Sequence, residues 1–247
     1  MAIANYSKFA TYKHHIDSLS SPDSDEMLTS ETFLLDQDQA KNLEIYYAPF
    51  EHVNEDAKVV IVGITPGLHQ MKKSFSTVWN LKDQYIEDNE VLSEVKKNSS
   101  FEGPMRKNLI TMLDELGLAE QLGLSSSSEL FSSASDLVHT TSVLTYPVFY
   151  KGKNYSGSTP NLLKNELLQR YLIANFPQEI EKMDNPLIIP LGVNVTKALQ
   201  FLQEENYMKA GTIQEGFPHP SGGNGHRHRQ FAENKDKMKK IIEDYFL

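Results

Sequence analysis

The chain of 247 residues has a formal charge of −9, 39% hydrophobic and 23% charged side chains, and no cysteine. A chain of this size and balance buries a core without covalent or metal staples, and the lack of cysteine excludes disulfides, thiolate metal sites and a cysteine nucleophile. The longest apolar run, 59–64, is far too short for a bilayer span, and the first residues lack the apolar centre of a signal peptide, so a cytoplasmic protein without a membrane partner is expected.

The first segment, 1–56, holds 11 acidic and 3 Lys/Arg residues, so the remainder is close to neutral. Its Ser-rich, acidic part at 17–31 reads as loop or mobile chain, because Ser and Asp compete with helical hydrogen bonds. The run 58–64 predicts a buried strand, and 105–116 a helix with Leu109, Met112, Leu113 and Leu116 on one stripe. A serine cluster then reads as loop. Strands are predicted at 137–144, 186–191 and, more weakly, 212–217, with helices over 162–176, 193–203 and 231–246.

This β–α alternation predicts an α/β fold, layered around a largely parallel sheet, in one domain. In such sheets ligands bind beyond the carboxyl ends of the strands, which directs attention to the loops Gly63–Gly67, Thr145–Pro147, Gly192–Asn194 and the segment 217–231. That last segment holds three histidines, two arginines and three glycines and is predicted as a loop. Pro218 and Pro220 restrict the backbone on both sides of His219 and so fix where its imidazole points.

Several chemistries are excluded. VVIVGITPG lacks both the Gly-Lys-Ser/Thr ending and the Gly-x-Gly-x-x-Gly spacing of nucleotide loops, and there is no Gly-x-Ser-x-Gly elbow. His219, His226 and His228 have no carboxylate in their loop, so a solvated basic loop is expected in place of a metal site, and no cofactor is implied.

A strand ending in Gly-x-x-Pro-Gly, followed in order by SSFEGPMRKNLITMLDELGL, VHTTSVLTYP, NPLIIPLGVNVTKAL and a last strand ending in His-Pro-Ser, resembles the uracil-DNA glycosylase superfamily over 58–235. The N-terminal extension 1–56 and an insert around 74–100 lie outside the resemblance. The resemblance implies a three-layer α/β sandwich with a central four-stranded sheet. It also implies hydrolysis of the N-glycosidic bond of a damaged or deaminated base flipped out of DNA, by a monofunctional, monomeric enzyme.

By position, the resemblance puts water placement on Thr65, with Gly63 and Ile64 beside the base. Stacking falls on Phe101, or alternatively Phe75, and reading of the base edge on Thr141. Stabilisation of the departing base falls on His219. Contact with DNA would come from Ser221, Asn224, His226, Arg227 and Arg229, with a side chain of this loop filling the space the base leaves.

Familiar members place Asp, Asn or Glu where this chain has Thr65, and Asn where it has Thr141. A hydroxyl orients water but carries no charge, and it lacks the amide's paired donor and acceptor. His69 and Gln70 follow the first motif closely and are alternative water-positioners. A glycosylase and a catalytically lapsed, nucleic-acid- or nucleobase-binding member therefore both stand, with a small-molecule hydrolase on the same scaffold as a more remote reading.

Overall fold

The computed structural model describes residues 2–209 and 211–247. In chain order the strands and helices are β1 (Ala2–Ile3), α1 (Phe9–Asp17), α2 (Asp25–Leu28), β2 (Leu34–Asp38), β3 (Leu43–Tyr46), β4 (His52–Val53), β5 (Val59–Gly63), α3 (Leu68–Leu81), α4 (Asp88–Ser99), α5 (Pro104–Glu115), α6 (Leu118–Gln121), β6 (Val138–Ser142), β7 (Val148–Tyr150), β8 (Lys153–Asn154), α7 (Glu166–Ile180), β9 (Leu187–Pro190), α8 (Val193–Glu204), β10 (Thr212–Ile213) and α9 (Arg227–Phe246).

The central sheet has the order β10–β9–β5–β6 with every pair parallel. All five residues of β5 are buried, as expected of a strand covered on both faces. Successive side chains of a strand point to opposite faces. Val59 and Ile61 accordingly join Leu109, Met112 and Leu113 of α5 and Met238 and Ile242 of α9, while Val60 and Val62 join Met71 and Phe75 of α3, Leu168 and Leu172 of α7 and Leu199 of α8. These are the three layers of the predicted sandwich. The fourth strand, Thr212–Ile213, is shorter than the predicted 212–217, and a turn at 215–216, with Gly216 at φ +92, occupies the rest of that run.

The first fifty residues build structure that periodicity in one segment does not reveal. β2, β3, β7 and β8 form a second, antiparallel sheet that joins the N-terminal extension to the chain after β6. Within the stretch expected to be loop, Ser24 caps α2 by accepting from the Met27 N–H, and Leu28 is buried. The insert around 74–100 is a packed helix pair, α3 and α4, with Val91, Leu92 and Val95 buried.

Glu51, in the loop after β3, ties this extension to the rest. It is fully buried, and its carboxylate accepts from Tyr146 Oη at 2.5 Å, Tyr47 Oη at 3.2 Å, Ser7 Oγ at 2.9 Å and the Lys8 N–H at 2.7 Å. All four partners are donors, so Glu51→Gln turns an amide NH2 toward at least one of them. A loss of about 1–3 kcal/mol is expected, the usual cost of a buried polar group left unsatisfied. A lowered urea midpoint at unchanged slope measures it.

Candidate functional site: a cleft at the carboxyl edge of the sheet

The loops after β5 and β10 meet at the carboxyl edge of the sheet and open a cleft of about 720 Å³. Gly63, Ile64 and Thr65 of the first loop line it together with Phe101 and with His219, Ser221 and Asn224 of the last loop. Gly63 lets the first loop approach Phe101 and Ser142 closely. A Cβ there would lie 3.1 Å from Phe101 Cε1 and 3.2 Å from Ser142 Oγ. Phe101 itself has φ +54, a conformation that costs a non-glycine residue free energy and is retained where the surroundings fix it. Phe75 lies elsewhere: it is fully buried, edge-on to Phe33 at 4.8 Å, in the core between α3 and the N-terminal extension. Its position on the apolar stripe of α3, with Met71 and Val78, explains this.

His219 is held by its neighbours. Pro218 and Pro220 are buried on either side, and Gly192, at φ +98, leaves room for the His219 Cβ, which would lie 3.2 Å from a Cβ there. The Ser221 N–H donates to His219 Nδ1 at 3.3 Å. That assigns the proton of the neutral ring to Nε2, and burial pushes the His219 pKa down, which keeps the ring neutral.

The Thr65 hydroxyl is engaged with the backbone. It donates to the Tyr146 carbonyl at 2.9 Å and accepts from the Val148 N–H at 3.1 Å. It thereby pins the first-motif loop to the turn that enters β7. Thr141 lies behind the cleft wall, on a smaller cavity of about 20 Å³ that shares Gln70, Phe101 and Ser142 with the cleft. It is buried, and among the described residues its Oγ1 has no hydrogen-bond partner.

The segment 217–231 is a loop only in part. The last glycine is Gly225, and the chain enters α9 at Arg227, so Arg227 and Arg229 occupy the first helical turn. Asn224 is spent on the loop itself, with Nδ2 donating to the His219 carbonyl at 3.1 Å and to Gln230 Oε1 at 3.0 Å, and Oδ1 accepting from the His226 N–H at 3.2 Å. Arg229 is exposed and pairs with Glu233 at 3.7 Å; His226 is exposed. Among the described residues no group of three or more His, Asp or Glu side chains is placed to hold a metal ion, and no helix is long and apolar enough to cross a membrane.

Three cleft and cavity residues, Glu102, Asn154 and Lys96, escape a reading of motifs alone, whereas His69 and Gln70 are the alternative water-positioners named from the first motif. His69, exposed at the start of α3, hydrogen-bonds through Nε2 to Glu102, and both line the cleft. That bond holds the Glu102 carboxyl below the ordinary range. Gln70 is instead used as a cap, its Oε1 accepting from the Gly67 N–H at 2.7 Å. Asn154, from the second sheet, accepts the Leu68 N–H at 2.9 Å at the mouth of the cleft. Lys96 lines the smaller cavity; its sequence signature is its place, with Leu92 and Ser99, on the buried stripe of α4.

The fold is thus a parallel α/β sandwich with a rigidly held histidine and a buried aromatic ring on one cleft at the carboxyl edge of its sheet. Residues 50–245 match the Uracil DNA glycosylase superfamily, and the chain belongs to that superfamily, whose members act on DNA. The chain is also 39% identical over 209 residues to the "Uncharacterized protein YoxB" of Bacillus subtilis (strain 168), an alignment that covers 84% of this chain and 82% of that protein. No solved structure matches significantly.

Replacing Thr65 by the isosteric Val leaves the Tyr146 carbonyl and the Val148 N–H without their partner. Thr65→Val is expected to lower stability by about 1–3 kcal/mol in urea unfolding. A hydroxyl that served only to hold a water would leave the urea midpoint unmoved.

Proposed function

We propose that the protein is a DNA base glycosylase that hydrolyses the N-glycosidic bond of a damaged or deaminated base turned out of the stack into this cleft. The observation that carries the reading is the neutral His219 ring, with its Nε2 proton, on the same cleft as Phe101 and the first-motif loop. Extrusion of the base costs a few kcal/mol of unpairing, which stacking on Phe101 offsets in part. As the bond to C1′ breaks, its electron pair goes to the base, and the Nε2–H of His219 donates to the anion that forms. Water adds to C1′ and loses a proton.

With the Thr65 hydroxyl engaged, Glu102 supplies the negative charge on this side. Among the described residues it is the one carboxylate that lines the cleft, and its lowered pKa, set by His69, keeps it ionised. It accepts the proton from water and stabilises positive charge on the sugar. Thr65 acts by fixing the loop against which the sugar rests. No cofactor is needed, and we read the active form as a cytoplasmic monomer acting on DNA. The engaged Thr65 hydroxyl is also the observation that favours the second reading, a lapsed member that binds a flipped base without hydrolysing it.

Incubation with duplex and single-stranded oligonucleotides carrying uracil, hypoxanthine, xanthine or oxidised pyrimidines, followed by alkaline cleavage, decides between the two. In an active protein His219→Ala lowers excision about 10²- to 10³-fold, the scale of one removed oxyanion donor. The lowered pKa sets the acid limb of the profile: the neutral ring persists below its ordinary pKa near 6.5, so excision is retained there and falls as pH drops through the lowered value. A rate that rises in acid would mean the imidazolium is the working form.

Contact with DNA has its own test. Each phosphate neutralised by Arg227 or Arg229 contributes about −0.9 to the slope of log affinity against log salt. Replacing both by Ala is expected to flatten that slope by up to roughly two units while leaving the melting temperature nearly unchanged. An unchanged slope in filter-binding titrations removes both residues from the interface.

A further inference from the structure

A third cavity, of about 80 Å³, shares no lining residue with the cleft and lies between β4, α4 and the first half of β6. Its polar lining comes largely from segments outside the resemblance: His52 and Asn54 of the N-terminal extension, and Ser93, Lys96 and Lys97 of the insert.

Three buried side chains on this cavity keep polar atoms that the protein does not satisfy. His52 is 5% exposed, and its Nε2 has no hydrogen-bond partner among the described residues. Asn54, 3% exposed, spends its Nδ2 protons on the Asp136 carbonyl at 2.7 Å and the Val138 carbonyl at 3.0 Å. Its Oδ1 is left as a buried acceptor with no donor among the described residues. Lys96, 7% exposed, makes one hydrogen bond among the described residues, to the Thr140 carbonyl at 2.7 Å. An ammonium has three protons to donate, and burying it without a full set of acceptors is costly.

These atoms differ in kind. Lys96 only donates, and Lys97, Ser93 and Ser135 bring further donors to the same wall, whereas Asn54 Oδ1 only accepts. A ligand that completes the set therefore carries several acceptors and at least one proton to give. The charge on the wall favours an anion. Burial, followed by the positive charges of Lys96 and Lys97, pushes the His52 pKa down to about 3, so the ring is neutral at neutral pH. Burial brings the Lys96 pKa down to about 8, so its cation still predominates there. Among the described residues Asp136 is the one carboxylate that lines the cavity, and it is exposed. The volume is several times the roughly 10–15 Å³ that one water needs, enough for a tetrahedral oxyanion and too little for a nucleoside.

We propose that this cavity is a binding site for a protonated tetrahedral oxyanion, inorganic phosphate. Its oxygens accept from Lys96, Lys97 and the two serines, and its hydroxyl donates to Asn54 Oδ1. His52 Nε2 meets the remaining oxygen as donor or acceptor according to its tautomer. The ion would tie together the N-terminal extension, the insert and the second central strand, three segments far apart in the chain. This site is independent of the reading of the cleft.

Titration calorimetry of the full chain at constant ionic strength tests it. Phosphate is expected to bind saturably and to raise the melting temperature as it does so. Sulfate has the same shape but no proton for Asn54 at neutral pH, and is expected to bind about tenfold more weakly, the scale of one buried hydrogen bond left unmade. Lys97→Gln weakens phosphate binding by about tenfold as well, through the loss of one charge-assisted hydrogen bond. Lys97 is partly exposed, so this variant keeps the fold.

Long-range ¹H–¹⁵N spectra of the histidine rings locate the ion: phosphate shifts the His52 signals and leaves those of His219 in the cleft unmoved. The proposal is overturned by a failure to saturate, by sulfate binding as tightly as phosphate, by Lys97→Gln binding as the parent does, or by shifts at His219 in place of His52. Deoxyuridine 5′-monophosphate separates a free ion from a terminal phosphate group. The cavity is expected to exclude it, and equal effects of nucleotide and phosphate on the His52 signals overturn the free ion as the occupant.

Discussion

Two carboxylates withdrawn from water, Glu51 and Glu179, organise the side of the molecule on which the smaller cavity is built. Glu179, on α7, accepts from His139 Nε2 at 2.8 Å, from Thr145 Oγ1 at 3.0 Å and from Tyr6 Oη. The Asn54 N–H lies 3.5 Å from His139 Nδ1, which leaves the His139 proton on Nε2 for Glu179. Burial alone would raise the Glu179 pKa, but these donors and the nearby Lys96 charge hold it down, to about 2. Glu51 also gathers four donors, from the N-terminal extension and from Tyr146, but burial outweighs them and its pKa is raised. A buried carboxylate deprived of its partners costs several kcal/mol, so the segments that supply them are held in register.

That register sets the cavity. Phe50 precedes Glu51, Thr145 bonds to Glu179, and Lys96 lies in the field of both carboxylates; all three line the smaller cavity. The N-terminal extension is thus part of the wall behind Thr141. The second sheet serves the front of the site in the same way, since Asn154 of β8 caps α3 beside the first-motif loop and Thr65 fastens that loop to the entry of β7.

The cleft divides its labour by environment. His219 is kept neutral by burial and by a backbone donor on Nδ1, whereas Glu102, nearer to water, is kept ionised by His69. In the reaction proposed above, a neutral donor and an anion on one cleft match the negative charge that develops on the leaving base and the positive charge on the sugar.

The central sheet and its flanking helices were legible in the sequence because each element carries its own period. The buried run 59–64 and the stripe of Leu109, Met112 and Leu113 need no distant partner to be recognised. His219 and the cleft loops were legible through proline and glycine placement, which acts on the local backbone. The second sheet was not, because β2 and β3 find β7 and β8 across a hundred residues, with strands too short to show alternation. Phe75 and Phe101 are both phenylalanines beside a motif, and only packing separates the ring in the core from the ring in the cleft. The same holds for the Thr65 hydroxyl, for the Glu102–His69 pair and for Lys96: a sequence states which groups a chain carries, but whether a group is satisfied depends on atoms brought within 3 Å of it by segments far away in the chain.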